Sequence, residues 1–589
     1  MAHSFSMSHR GPDNAATHLF HLNNTPLYLA HNRLAIQDLS PLGNQPMESE
    51  RFVIVFNGEI YNHLEIRTEL KQQSFKTHSD TETLLYAFET LGITQTLTKL
   101  IGMFAIALLD KKRQKLYLIR DRVGIKPLYW THQNNEFAFA SELKGIPEHL
   151  RLHHNDSALV HFMSLGYISG DRSIYQDVHK LSPGYLLCFD GTKIETQCYW
   201  QPSLETISID FDTASVKLEA LIRSSIRYRL LSDLEVGAFL SGGVDSSLVS
   251  AIMQQESAKQ IKTFSIGFDN PAYNEAPYAR EVAKHIGSDH HEFIFGPHDV
   301  LKLLENFDYY FDEPFGDASA LPTMLLSQQT KQHVTVALSG DGGDELFLGY
   351  ERYFFTQTYT NRLNAIPSIL RPIISEVCRL SRNDKLIKMA YPIKYPKPEN
   401  IYAVISTATK PWELAKIFQK EYLSHAIGTT NPSYLDLVHY SHKLNLNDLI
   451  TSFSHIDIAN YLPEDILTKV DRASMKYALE ARVPLLDHRI VEFAAQIPSK
   501  IKLQNGPKSL LKSVLYRHIP YTLIERPKQG FAVPLKHWFR KELKNMLYDK
   551  IHALDHSVFN TAYLEKLLDL HINHNHNYEY LFWNILRTP

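Results

Sequence analysis

Residues Val236–Ser247, reading V-G-A-F-L-S-G-G-V-D-S-S, constrain this chain more than any other stretch. An apolar run from Val236 to Leu240 has the length and flanks of a buried strand. It breaks at Ser241-Gly242-Gly243, and helical periodicity follows from Leu248 to Met253. A strand, a glycine loop and a helix in that order aim backbone N–H groups and a helix N-terminus at one point, which suits a phosphate. The loop is not a Walker A loop, because G-x-x-x-x-G-K-[ST] is absent. Asp245 sets a carboxylate beside that point, which makes chemical sense mainly with Mg²⁺ between it and the phosphates. A tight strand-to-helix turn capped by serine is the competing reading.

Around this unit the pattern alternates. The spacing predicts strands over Val236–Leu240, Ile261–Phe268, His291–Phe295 and Val334–Leu338, with helices over Ser246–Gln255 and Glu275–Gly287. Such alternation implies a doubly wound parallel sheet covered on both faces, with ligands beyond the C-terminal strand ends. A second loop, Ser339-Gly340-Asp341-Gly342-Gly343-Asp344-Glu345, also follows an apolar strand. If the two loops face one another, Asp245 and Asp344 can share Mg²⁺ on a nucleotide's phosphates; a solvated acidic turn is the plainer alternative. Past Gly349 the chain reads as mostly helical. There Lys469-Val-Asp-Arg472, Glu480-Ala-Arg-Val-Pro-Leu-Leu-Asp487, Lys508 and Arg526-Pro-Lys-Gln-Gly-Phe531 are dense in charge. Each alone suits a solvated helix face or an ion pair, and together they offer cations to a polyanion.

Residues 1–200 read differently. Strand-like segments at Arg51–Phe56, Met103–Asp110, Lys115–Arg120 and Phe137–Ala140 lie close in sequence, with helical insertions at Asn62–Gln73 and Asp80–Leu91. This predicts antiparallel sheets. Their polar motifs, His9-Arg-Gly-Pro-Asp13, Asn32-Arg33, Phe56-Asn57-Gly58-Glu59 and Ser79-Asp80-Thr-Glu82, are turns or caps when taken singly. Together they supply an Arg for a carboxylate, an Asn amide beside a Gly backbone and an Asp for an amino group, the chemistry of an α-amino-acid pocket. A polar stretch over 201–213 reads as a linker, dividing the chain into 1–200 and 214–589.

At 589 residues two or more domains are expected, at roughly 100–200 residues each. A net charge of −3 gives no general basic field for nucleic acid. No apolar run approaches the ~20 residues that span a bilayer, and the N-terminus has no signal-peptide apolar core. A cytoplasmic protein is therefore predicted, without membrane or nucleic-acid partner and with a homodimer left open. Cys188, Cys198 and Cys378 suggest neither a metal site nor a disulfide framework. His571, His574 and His576 sit among asparagines and read as a solvated loop rather than a metal site.

Over nearly its whole length the chain resembles the glutamine-dependent asparagine synthetases. The S-G-G-V-D-S-S loop looks like that family's pyrophosphate loop. S-G-D-G-G-D-E, E-A-R-V-P-L-L-D and R-P-K-Q-G-F resemble its other synthetase segments. H-R-G-P-D, N-R-L-A-I-Q-D, F-N-G-E-I-Y-N and R-D-R-V-G-I-K-P-L-Y resemble its glutaminase half. The resemblance implies an N-terminal αββα glutaminase of the N-terminal-nucleophile type and a C-terminal ATP-pyrophosphatase domain with a helical final part. It implies that aspartate and ATP·Mg²⁺ form β-aspartyl-AMP and pyrophosphate, and that ammonia passed through a tunnel converts the intermediate to asparagine and AMP. Ser241, Gly242, Gly243, Asp245 and Ser246 would hold the pyrophosphate. Leu240 and Ile266 would flank the nucleotide, and Ser339 and Gly340 would lie beside it. Asp341, where many relatives carry Glu, would take the ammonia proton; Asp344 would share the Mg²⁺ with Asp245; Lys508 would stabilise the charged transition states. Arg33, Asn57, Gly58, Glu59 and Asp80 would bind glutamine. Amidation of another carboxylate, such as a uronic acid in surface polysaccharide synthesis, and an inert regulatory or scaffold role are the alternatives.

The family's glutaminase begins Met-Cys-Gly-Ile, with cysteine as its nucleophile, and reaches H-R-G-P-D some tens of residues later. Here residue 2 is Ala and the motif starts at His9. A late-assigned start or truncated chain, true loss of the glutaminase, and a vestigial scaffold like that of relatives that close β-lactams are the three explanations. As written, the chain is expected to draw nitrogen from ammonia rather than glutamine.

Overall fold

The computed structural model describes residues 6–70, 73–269, 274–381, 383–438, 444–525, 533–574 and 576–589. The Arg526–Phe531 motif lies outside them. The N-terminal part opens with the hairpin β1 (Asn14–Leu22) and β2 (Thr25–Arg33), followed by β3 (Met47–Glu48), β4 (Phe52–Ile60), β5 (Gly102–Asp110) and β6 (Lys115–Arg120). Next come β7 (Tyr129–Gln133), β8 (Glu136–Ala140), β9 (Val178–Lys180), β10 (Tyr185–Phe189) and β11 (Ile194–Cys198). Strands β11-β10-β6-β5-β4-β3 form an antiparallel sheet, and β8-β7-β9 a smaller one.

Alternation along β4 and β5 splits the core in two. Phe52, Ile54, Phe56, Phe104 and Ile106 face the helices His63–Glu69 and Asp80–Leu91, while Val53, Val55, Ala105 and Ala107 face the hairpin and the smaller sheet. Both faces of this sheet are thus covered, as the αββα expectation requires. Two further helices, Ile93–Lys99 and Asp156–Leu165, were absent from the sequence expectation. Seven of the ten residues in the second are buried, so it lacks the one-sided apolar stripe that marks a surface helix.

After 199–210, which carry no regular element, the helix Phe211–Arg229 leads into β12 (Val236–Phe239), β13 (Lys262–Phe268), β14 (Asp289–Phe295), β15 (Val336–Leu338) and β16 (Glu480–Arg482). The order β14-β13-β12-β15-β16 is parallel throughout. The chain winds outward from β12 through β13 to β14, then returns to the other side of β12. A crevice opens where the winding reverses, between the C-terminal ends of β12 and β15. Phe264 and Ile266 pack into one core, and Ala238, Leu248, Ile252 and Leu338 into the other, so helices bury both faces. The remainder is mostly helical, as predicted.

Two of the three C-terminal histidines correct the solvated-loop reading, while His574 is exposed as expected. His571 lies in the helix Thr561–Asn573 and is fully buried against Phe539 and Phe582, while His576 pairs with Asp384 at 2.7 Å. Among the described residues no helix is long and apolar enough to cross a membrane.

Candidate active sites

The crevice between β12 and β15 is where both glycine-acid loops emerge. They interlock: a Cβ on Gly340 would lie 2.7 Å from the Ser246 nitrogen, and one on Gly343 would lie 2.5 Å from the Asp245 carboxyl carbon. Glycine is required at both positions because the loops approach closer than side chains allow. Ser241 and Ser246 hydroxyls meet at 2.9 Å, and the Val244–Glu256 helix begins directly behind them. Its N-terminus therefore points into the crevice.

The cavity there has a volume of about 620 Å³. Leu240, Ser241, Gly243, Asp245, Ser246, Ile266, Ser339, Gly340, Asp341, Asp344 and Lys508 line it. Gly242 does not. It has φ of +72° and turns its Cα toward the backbone of Tyr278 and Ala279, so it shapes the turn from behind. Lys508 pairs with Asp245 and, at 2.7 Å, with Asp344. Burial opposes its charge, but the two carboxylates outweigh that and hold its pKa above the ordinary lysine value. Lys508 itself has φ of +57°, sparsely populated for a side chain of this size, just before the helix Ser509–Leu515. Ser339 donates to Asp341 at 2.8 Å. Burial pushes the Asp341 carboxyl up, with Lys469 opposing.

The donor set suits Mg²⁺ on a nucleotide. Among the described residues no group of three or more His, Cys, Asp or Glu side chains could hold a metal alone. Two carboxylates that already clasp a cation, Lys508, match the way Mg²⁺ is bound through one or two carboxylates plus substrate phosphates. Asp245 and Asp344 would hold it, and it would neutralise phosphate charge.

Several wall residues carry no recognisable motif. Asp317 and Ser319 meet the Lys469 ammonium at 2.9 and 3.0 Å. Tyr350 donates to Glu345 at 2.7 Å, and burial, then Asp344, push Glu345 up to about 7. The charged C-terminal motifs do not act as one cationic set. Among the described residues of those motifs, Lys469 and Lys508 are the cations that line this cavity, with Lys512 beside them. Arg472 is buried instead against Glu142 and Asp312, at 2.8 and 3.2 Å.

A second cavity, of about 460 Å³, lies in the N-terminal part, and Arg33, Asn57, Gly58, Glu59 and Asp80 all line it. Gly58 has φ of +143°, and a Cβ there would strike the Met103 carbonyl oxygen at 2.0 Å. Asn57 donates to Ser141 at 3.1 Å, and Asp80 accepts from the Ile60 N–H at 2.8 Å. The Arg33 guanidinium donates to the Ser40 and Asp38 carbonyls and to Asn44, so it braces the 37–44 loop as well as facing the cavity. No cysteine lines this cavity. Cys188 and Cys198 lie on β10 and β11, Cys378 is buried in the helix Arg371–Arg379, and burial pushes the Cys188 thiol up.

One helix joins the cavities. Met475 lines the N-terminal one and Lys469 and Val470 line the other, all from Thr468–Met475. Lys469 and Met475 are six positions apart, about 9 Å of helix.

Two glycine-acid loops meet at the reversal point of a parallel sheet, which is joined to an antiparallel domain with a second cavity, a two-domain, two-cavity architecture. The chain belongs to the asparagine synthase family, whose members are carbon–nitrogen ligases: that family model matches residues 217–588, and a glutamine amidotransferase domain model matches residues 1–200. It is 31% identical to asparagine synthetase [glutamine-hydrolyzing] 1 of Bacillus subtilis, over 98% of this chain and 90% of that protein. It is 34% identical to a putative asparagine synthetase [glutamine-hydrolyzing] 2 of Methanocaldococcus jannaschii, over 80% of this chain and 93% of that protein. A solved structure of the glutamine phosphoribosylpyrophosphate amidotransferase of Bacillus subtilis aligns with 51% of this chain and 88% of its own. Its identity is 12% and its TM-score 0.28.

Proposed function

We propose that residues 214–589 catalyse ATP-dependent, AMP-forming amidation of aspartate, and that the chain takes its nitrogen from free ammonia. The observation that carries the synthetase reading is the Lys508 clasp on Asp245 and Asp344 between the two loops. A carboxylate is a poor electrophile. Attack of its oxygen on the α-phosphorus expels pyrophosphate and leaves an acyl-adenylate, from which AMP departs readily. The loop N–H groups, the helix N-terminus and Lys508 are placed to stabilise the charge that develops on the departing pyrophosphate. Mg²⁺ bound with ATP adds neutralisation at the same point. Ammonia then attacks the acyl carbon, and Asp341, held by Ser339, accepts a proton from the attacking nitrogen as AMP leaves.

The ammonia reading is supported by the placement of the three cysteines away from the amino-acid cavity. Residues 1–200 would then serve as an amidotransferase-like domain that still carries a glutamine-shaped pocket. Incubation with ATP, Mg²⁺, ammonium and aspartate should release pyrophosphate and asparagine in equal amounts. Pyrophosphate only with a uronic acid in place of aspartate would move the acceptor to a sugar, and none with any carboxylate would make the chain an inert homologue.

A further inference from the structure

The amino-acid cavity is not built by the N-terminal part alone. Its wall includes Glu480, the first residue of β16, the edge strand of the parallel sheet in the other half. Strand alternation puts Glu480 and Arg482 on the same side. Arg482, fully buried, donates from Nε to Glu480 at 2.8 Å and lies 3.4 Å from the Glu59 carboxylate. Its remaining reach goes to the Arg229 and Leu231 carbonyls, at 2.8 and 2.7 Å. Glu59 also accepts from Gln37 at 2.5 Å.

Glu59 and Glu480 share the Arg482 guanidinium, and the buried Asp80 adds its charge to the same cluster beside Glu59. The other cations nearby are engaged elsewhere: Asp38 and Asp13 share the charge of Arg33 with Asp80, Glu82 and Asp38 share that of Arg67, and Arg10 and Lys126 on the cavity wall pair with Asp471. Tyr61 and Arg229, packed behind Arg482, add a neutral phenol and a guanidinium already paired with Asp487. Buried carboxylates in excess call for a further cation. Among the described residues no such group has metal-site geometry, whereas an α-ammonium brings three donors to acceptors spread over several strands.

We propose that Glu480 is a positioning and specificity residue for the free α-ammonium of the amino acid bound in this cavity, supplied by the synthetase half through its pairing with Arg482. This rests on the glutamine-pocket reading above. It also sets that pocket one strand from the nucleotide: the Arg482 carbonyl accepts the Ser339 N–H at 2.9 Å.

The test measures binding of glutamine and of glutaramate, the analogue without the α-amino group, to the full chain by titration calorimetry. Glu480→Gln should weaken glutamine at least tenfold and glutaramate less than about twofold, and Glu480→Asp should restore most of the preference. Equal weakening of both ligands would overturn the proposal and leave Glu480 a packing residue. Wild-type chain that fails to prefer glutamine over glutaramate would remove the pocket reading itself. If Glu480→Gln does not fold, Glu480→Ala is read with the same two ligands and by the same criteria.

Discussion

Lys508 lies 2.7 Å from Asp344 and also pairs with Asp245, so one cation ties together loops that leave two neighbouring parallel strands. Gly349 makes room for it: a Cβ there would sit 2.1 Å from the Asp344 carboxylate and 2.2 Å from the Lys508 side chain. The clasp holds two like charges side by side in the form a metal-bound polyphosphate would meet.

Asp245→Asn should cut pyrophosphate release by about 10²–10³ or more, the range for losing one charge-stabilising group at a reacting centre. Lys508→Met should do the same and leave Asp245 and Asp344 repelling each other. Pyrophosphate assays with saturating ATP, Mg²⁺, ammonium and aspartate check both. Near-native turnover in Asp245→Asn would take that residue out of metal binding.

Nitrogen supply separates the two halves. Ammonium should drive synthesis, and glutamine should add little above the free ammonia it contains. Glutamine-driven turnover matching that with ammonium would sink the conclusion drawn from the cysteine positions.

Glu345 gives a pH-dependent stability prediction. Its folded value, about 7, lies above the ordinary 4.5 because of burial and then Asp344. The neutral form is favoured on folding, so its stabilising contribution is full below pH 4.5 and is lost as pH rises through 7. Glu345→Gln should remove that loss. Thermal or urea unfolding at pH 8 should show a gain of about 1–2 kcal/mol, less than the ~3 kcal/mol of the full shift because the Tyr350 hydrogen bond changes too.

Asp471 behaves in the opposite sense. Burial opposes its charge, but Arg10 at 2.7 Å overcomes that and holds the carboxyl below its usual range. Its contribution is present above pH 3.8 and is lost as pH falls through the folded value. Asp471→Asn leaves Arg10 buried with only Glu142 opposite and should cost about 3–5 kcal/mol in denaturant unfolding at pH 7.

What the sequence disclosed follows from how local its signals are. Val236–Leu240 and the two glycine-acid loops are contiguous, so strand, turn and carboxylate could be read together, and the parallel sheet followed from their alternation. The glutamine-type residues from Arg33 to Asp80 likewise converge on one cavity. Glu480 was legible only as charge, because its meaning comes from a partner 421 positions away, Glu59, reached through Arg482. The Lys469–Arg472 run points in different directions for the same reason: consecutive turns of one buried helix meet different halves of the chain. Gly242 carried the right motif, yet its φ turns it away from the cavity it helps to shape.

The edge strand β16 has a consequence for how such a chain can change over generations. All three of its residues are buried, and its charged side chains find their partners partly in the N-terminal domain. Cutting away residues 1–200 would bare an unpaired strand edge and strip Arg482 of a counter-charge, inviting aggregation and misfolding. Residues 1–200 thus supply cover and counter-charge to the other half whatever chemistry they perform, so loss of that half is opposed by architecture alone.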